Sequence, residues 1–133
     1  MAGYSGKPLV AKLGIKPDAR IAILHAPSGY ERTLGRLPPV RRSAGTAGPL
    51  DFIQFFTSEK QQLERRFAAL VRALAPAGML WISWPKRSSG VATDLTEDVI
   101  RAIGLAHGLV DVKVAAVDDV WSGLKFVRRL KDR

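Results

Sequence analysis

"LAPAGMLWISWPKRSSGVATDLTEDV", Leu74 to Val99, decides how the rest of the chain is read. Small and turn-forming residues, Ala75 to Gly78, end one element. Met79 to Trp84 is then an apolar run of strand length, and Pro85 stops it. Trp81 and Trp84 stand three positions apart, so on a strand they face opposite sides, and at least one belongs to the core. Lys86 and Arg87 follow, then the small and hydroxyl residues Ser88, Ser89 and Gly90. Asp94, with Glu97 three residues on, reads as the N-cap and capping box of a helix. Leu95, Val99, Ile100 and Ile103 form its apolar stripe, His107 lies in its last turn, and Gly108 closes it.

Upstream, Ser58 reads as a helix start with Gln61 in the box position. Leu63, Phe67, Leu70, Val71 and Leu74 recur at helical spacing, and Lys60, Arg65, Arg66 and Arg72 fall mainly on the solvated side. Leu50 to Phe56, "LDFIQFF", reads as a strand. Residues 38–49, from Pro38 to Pro49, are rich in Pro and Gly and read as a flexible loop. Arg20 to Ala26 is a short Ile-rich strand ended by Pro27. Ser28 opens a short helix with Glu31 at the box position, and Pro8 to Leu13 is a helix closed by Gly14. Downstream, Leu109 to Val117 alternates as a strand, Asp118-Asp119 is a turn, and the run from Trp121 to Leu130 pairs antiparallel with the strand before it. Strands alternating with helices imply a mostly parallel sheet in an α/β domain spanning residues 1–133. Five strands are expected, with a C-terminal antiparallel hairpin.

The chain has 133 residues, 47% of them apolar, which supports one packed core. It has no cysteine, which excludes disulfides, thiolate metal sites and a cysteine nucleophile, and fits a reducing cytoplasm. "MAGYSGKPLV" lacks the apolar core of a signal peptide, and no apolar run is long enough to span a bilayer. With 21 Lys and Arg against 12 Asp and Glu, the net charge is +9. That balance favours anionic partners: nucleic acid, phosphorylated metabolites or an acidic protein.

Several pieces resemble class I S-adenosylmethionine-dependent methyltransferases. "LGIKPDARIAIL" (Leu13–Leu24) looks like the approach to their first strand, "LDFIQFF" like their fourth, and "LAPAGMLWISWPK" like the turn and fifth strand. The closing hairpin matches their sixth and seventh. Taken with "SWPKRSSGVATDLTEDV" and "GLVDVKVAAVDDVWSGLKFV", the chain resembles an uncharacterised bacterial domain-of-unknown-function family with a shortened, truncated Rossmann-like fold, a three-layer sandwich. That fold's cofactor needs a glycine-rich turn after the first strand and an acidic residue at the end of the second. Here "HAPSGY", His25 to Tyr30, offers one glycine, Gly29, and Pro27 removes an amide donor. About 24 residues separate Ala26 from Asp51 and show no strand. Two strand–helix units therefore read as missing. The first strand becomes an edge, and the reversal of strand order that builds a ligand crevice disappears.

Two groups lie at the carboxyl edge of the sheet: His25, Ser28, Gly29 and Tyr30 after the first strand, and Lys86, Arg87, Ser88, Ser89 and Gly90 after the third. They are candidate ligand-binding residues for a small anion, the second group by its cations, hydroxyls and free amides. His25 has no acidic orienter, and two distant histidines make no metal site, so no catalytic residue, cofactor or metal is named. The leading expectation is a non-catalytic binding or regulatory module. The alternative is a transferase with a degenerate site, or one completed by a homodimer that covers the exposed first strand. The third is a weak, non-specific nucleic-acid binder.

Overall fold

The computed structural model describes residues 7–133. The expectation about a leader rests partly on residues 1–6, which lie outside that range. Helix α1 (Leu9–Leu13) is followed by β1 (Arg20–Leu24), a five-residue α2 (Tyr30–Leu34), β2 (Arg41–Ser43) and β3 (Leu50–Phe56). Helix α3 (Lys60–Ala73), β4 (Leu74–Pro85) and α4 (Glu97–Ala106) come next, and the hairpin of β5 (Leu109–Ala116) and β6 (Trp121–Arg128) closes the sheet. No helix of the described residues is long and apolar enough to cross a membrane.

The strands form one sheet in the order β2-β1-β3-β4-β6-β5. The first four run parallel, and β6 runs antiparallel to both of its neighbours. The five expected strands are all present, the last pair as an antiparallel hairpin, and the α/β class holds. The sixth strand, β2, is the difference. It lies inside the stretch that reads as a loop, and it pairs with β1 through Arg20↔Arg41, Ile21↔Arg42 and Ala22↔Ser43. Three residues carry no alternation, and the flanking prolines and glycines mask them.

That short pairing corrects the topology. β1 is not an edge. The chain steps from β1 to β2 on one side, then crosses back to place β3 on the other. Strand order therefore reverses at β1, and the homodimer argued from an exposed first strand loses its motive.

Trp81 and Trp84 do face opposite sides, and both are buried. Trp84 packs with Leu24, Phe55, Leu63 and Ile100 in the core beneath α3 and α4. Trp81 packs with Leu13, Ile21, Phe52 and Phe56 beneath α1 and α2. Its indole donates to the Leu13 carbonyl at 2.9 Å, so the polar end of a buried ring is satisfied. β4 starts at Leu74 rather than Met79, because α3 stops at Ala73 and the backbone is extended at once. A register shift between Leu50 and Phe52 absorbs the extra residues.

Helix α4 lies close enough to β6 that a methyl group at Gly104 would sit 2.1 Å from Cε1 of Phe126, a fully buried ring. Alanine favours helix over glycine by about 1 kcal/mol. Here overpacking wins, so Gly104→Ala is expected to lower stability by about 1–3 kcal/mol. Adding Phe126→Leu should recover part of the loss. Urea denaturation of the single and double variants checks this, and additive losses would show that the contact is not limiting.

Candidate functional site

The carboxyl ends of β1, β3 and β4 share one edge with the β5–β6 turn. After β1 the backbone bends at once: His25 takes a left-handed conformation, φ 57°. Its exposed ring leans over Phe55, centroids 4.9 Å apart. Ser28 and Gly29 are exposed too. Gly29, φ 83°, caps α2, and no atom within 4 Å would meet a side chain there, so the backbone angle favours glycine at a turn open to solvent. Ser28 is not the cap it reads as.

Tyr30 turns inward, only 2% exposed. Its hydroxyl donates to Gln54 Oε1 at 2.7 Å, and Gln54 Nε2 donates to Ser83 Oγ at 3.1 Å. Burial pushes the phenol well above its ordinary pKa, so Tyr30 stays neutral. It belongs to the floor of the edge rather than to its ligand-facing side. The chain Tyr30–Gln54–Ser83 joins the β1 loop to β3 and β4. Gln54 and Ser83 were not among the sequence candidates, although each is a polar residue flanked on both sides by apolar ones.

After β4, Arg87–Ser89 form a single 3₁₀ turn. Ser89 Oγ donates to the Lys86 carbonyl at 2.6 Å and accepts from Val91 N, so that hydroxyl is spent inside the loop. Lys86 N donates to the Val120 carbonyl at 2.7 Å, which fastens the loop to the hairpin turn. Ser88 is exposed. No ion pair among the described residues involves Lys86 or Arg87. Arg87 and Gly90 line a cavity of about 470 Å³ with Trp84, Val91, Thr93 and Leu95. None of His25, Ser28, Gly29 and Tyr30 lines it. The two candidate groups share an edge but not a cavity, since β3 stands between their strands.

The entrance of α4 also differs from its sequence reading. Thr96 is the N-cap, accepting from Val99 N at 3.2 Å. Glu97 does not box the cap but bonds Arg101, which also bonds Asp98 and Asp111. Asp94 accepts from Lys60 N at 2.8 Å, and so serves the first turn of α3, across 34 residues of sequence. Thr93 Oγ1 donates to the Ser58 carbonyl at 2.6 Å. The loop therefore locks two helix entrances together.

Charge near the strand reversal has the wrong sign for the methyltransferase cofactor. Between Ala26 and Leu50 the one acidic residue is Glu31, and both its oxygens are held by Arg42 at 2.7 Å. The hydrogen bonds from Arg42 hold the Glu31 carboxyl below its usual range. β2 is followed by Ala44 and Gly45, and Ser43 Oγ is bonded to Gly45. No carboxylate follows β2 to take ribose hydroxyls. The residues present do not match the family's donor set for adenosylmethionine.

No family model matches the chain, and no curated relative matches it. Solved structures do. The magnesium protoporphyrin IX methyltransferase from Synechocystis PCC 6803, solved with bound adenosylmethionine, is 13% identical with a TM-score of 0.61, covering 91% of this chain and 74% of that one. An adenosylmethionine-dependent methyltransferase from Aquifex aeolicus is 13% identical with a TM-score of 0.63, covering 89% and 86%. The fibrillarin pre-rRNA processing protein from Methanococcus jannaschii is 14% identical with a TM-score of 0.56, covering 93% and 70%. At this identity the likeness shows the fold. It also corrects the leading expectation of a non-catalytic module: several solved structures that share this fold are described as methyltransferases, so the transferase alternative is the one proposed below.

Two electrostatic expectations follow. Asp94→Ala should cost about 1 kcal/mol, the usual loss for a cap, and hydrogen exchange should speed at the Lys60 amide rather than within α4. Unchanged exchange at Lys60 would remove Asp94 from that role. On the other face, Lys113 stands opposite Lys125. Burial, then Lys113 and Lys16, hold the Lys125 ammonium below its ordinary 10.5. The unfolded chain therefore binds that proton more tightly, so the penalty on folding is full at neutral pH and fades as pH rises through 10.5. Lys125→Met should raise the melting temperature at pH 7 and lose that advantage in alkaline buffer, as thermal melts across pH will show.

Proposed function

We propose that this protein is a transferase of the methyltransferase type, working at the carboxyl edge from a crevice at β1. The observation that carries the reading is the reversal of strand order at β1, the place where open α/β sheets bind ligands. The fold shared with adenosylmethionine-dependent enzymes supports it. In those enzymes the cofactor supplies an electrophilic methyl group. Here His25, Ser28 and Gly29 border the mouth of the crevice, and the Tyr30–Gln54–Ser83 chain holds its floor rigid. Lys86 and Arg87, with the cavity beside Trp84, offer a positive subsite for an acceptor. Because no carboxylate follows β2, weak affinity for the cofactor is expected. The cysteine-free composition fits the cytoplasmic location we assign.

Calorimetric titration and thermal melts with adenosylmethionine and adenosylhomocysteine test this. Binding is expected in the micromolar to millimolar range, and ligand at 100 times Kd should add about 2.7 kcal/mol to stability. Gly29→Val, strained at positive φ, should abolish the response. No heat and no melting shift from either ligand at millimolar concentration would sink the reading.

A further inference from the structure

On the α3 side, the amino end of β1 and its partner β2 carry exposed arginines rather than a covering layer. Parallel sheets are normally covered on both faces and apolar throughout. α1 and α2 cover one face of this shoulder, and α3 covers Ala22 and Leu24 on the other. By alternation Arg20 shares the face of Ala22 and Leu24, and Arg41, its partner in register, points the same way. Both are exposed. Arg66, on the flank of α3, sets its guanidinium 5.7 Å from the centre of the Phe55 ring, over which His25 leans from the other strand. None of these three arginines forms an ion pair among the described residues. Asp51, at the start of β3, takes the Arg20 backbone amide on its carboxylate at 2.9 Å.

Two arginines abreast repel one another, and nothing in the fold requires them there. An apolar helix is not the missing cover, because it would bury unpaired charge. The surface suits a solvated polyanion. We infer that the α3-side face of β1 and β2 is a binding surface for single-stranded nucleic acid, with Arg20, Arg41 and Arg66 on phosphates and the exposed His25 ring as a stacking platform for a base. Arginine's planar fork matches phosphate oxygens. Arg20 and His25 are five residues apart, roughly 16 Å at about 3.3 Å per residue, the reach of a few nucleotides. Ala22 and Leu24 between them are buried, so a strand that touches both would pass over β2 beside α3. The lysines on the opposite face are poorer candidates. Lys113 Nζ donates to the Lys12 carbonyl and Lys12 Nζ to the Ala116 carbonyl, while Lys125 is partly buried. The inference stands on this surface alone and does not require the transferase reading.

Fluorescence anisotropy with a labelled single-stranded RNA of about 16 nucleotides, measured across salt, tests it. The parent should bind at low salt and weaken steeply as salt rises. Arg20→Gln, Arg41→Gln and Arg66→Gln together should weaken binding at least tenfold. They should also flatten the slope of log K against log salt by about 2, at roughly 0.7 per phosphate contact. His25→Ala should weaken binding and leave that slope unchanged. The control removes the same charge from the opposite face, as Lys16→Gln, Lys113→Gln and Lys125→Gln, and should lose less than twofold. Equal losses in the two triples would mean that binding follows total charge, and the inference fails. It fails equally if polyglutamate competes as well as RNA at matched charge. Should the arginine triple melt early, Arg41→Gln alone must still lower the slope by about 0.7.

Discussion

Everything at the carboxyl edge depends on β4 being buried on both faces. Trp81 and Trp84 leave opposite sides of one strand, so helices must cover both. α1 is pinned on one side through the bond from the Trp81 indole to Leu13. On the other side Trp84 sits among residues of α3 and α4. Neighbouring strands inherit the same two-sided demand, and β3 meets it with Phe52 and Phe56 on one face and Ile53 and Phe55 on the other. Gln54 interrupts that run. Its amide is tolerable only because Tyr30 and Ser83 satisfy it, which makes one polar residue a tie between three strand ends.

How much of this was legible depended on whether the signal was local. β3 runs from Leu50 to Phe56, as "LDFIQFF" reads, because a bounded apolar run of that length has few other solutions. The hairpin and the helical face of α3 were equally plain. β2 was not, because three residues have no period and the partner that makes them a strand is β1. The cap of α4 was misread for a related reason. Asp94 and Thr96 both fit a cap, and what separates them is an amide at Lys60 that the local sequence cannot show. Similarly, both candidate loops were placed at the right edge because strand ends were visible. The inward turn of Tyr30 depended on Gln54, 24 residues away.

The misreading of β2 had the largest consequence. Treating β1 as an edge removed the ligand crevice, and with it the case for an enzyme. Three residues of pairing restore the reversal of strand order, since topology rather than strand length sets where the chain reverses. A short edge strand also limits the exposed hydrogen-bonding row, one way a sheet avoids pairing with another copy.

Crevice and cofactor chemistry are nevertheless separable. Backbone topology makes the cleft, and individual charges decide what enters it. Here the strand order reverses at β1, and the unpaired side chains near it are basic. The only carboxylate contributed between β1 and β3 is clamped by Arg42, so it neither repels an anion nor offers free oxygens to a sugar. Arg20 and Arg41, register partners at the amino ends of β1 and β2, form no ion pair among the described residues. A neutral diol loses its usual acceptor in such a place, whereas a phosphate gains partners. One set of charges, a clamped carboxylate on one side of the sheet and unpaired arginines on the other, therefore disfavours a sugar and favours a polyanion.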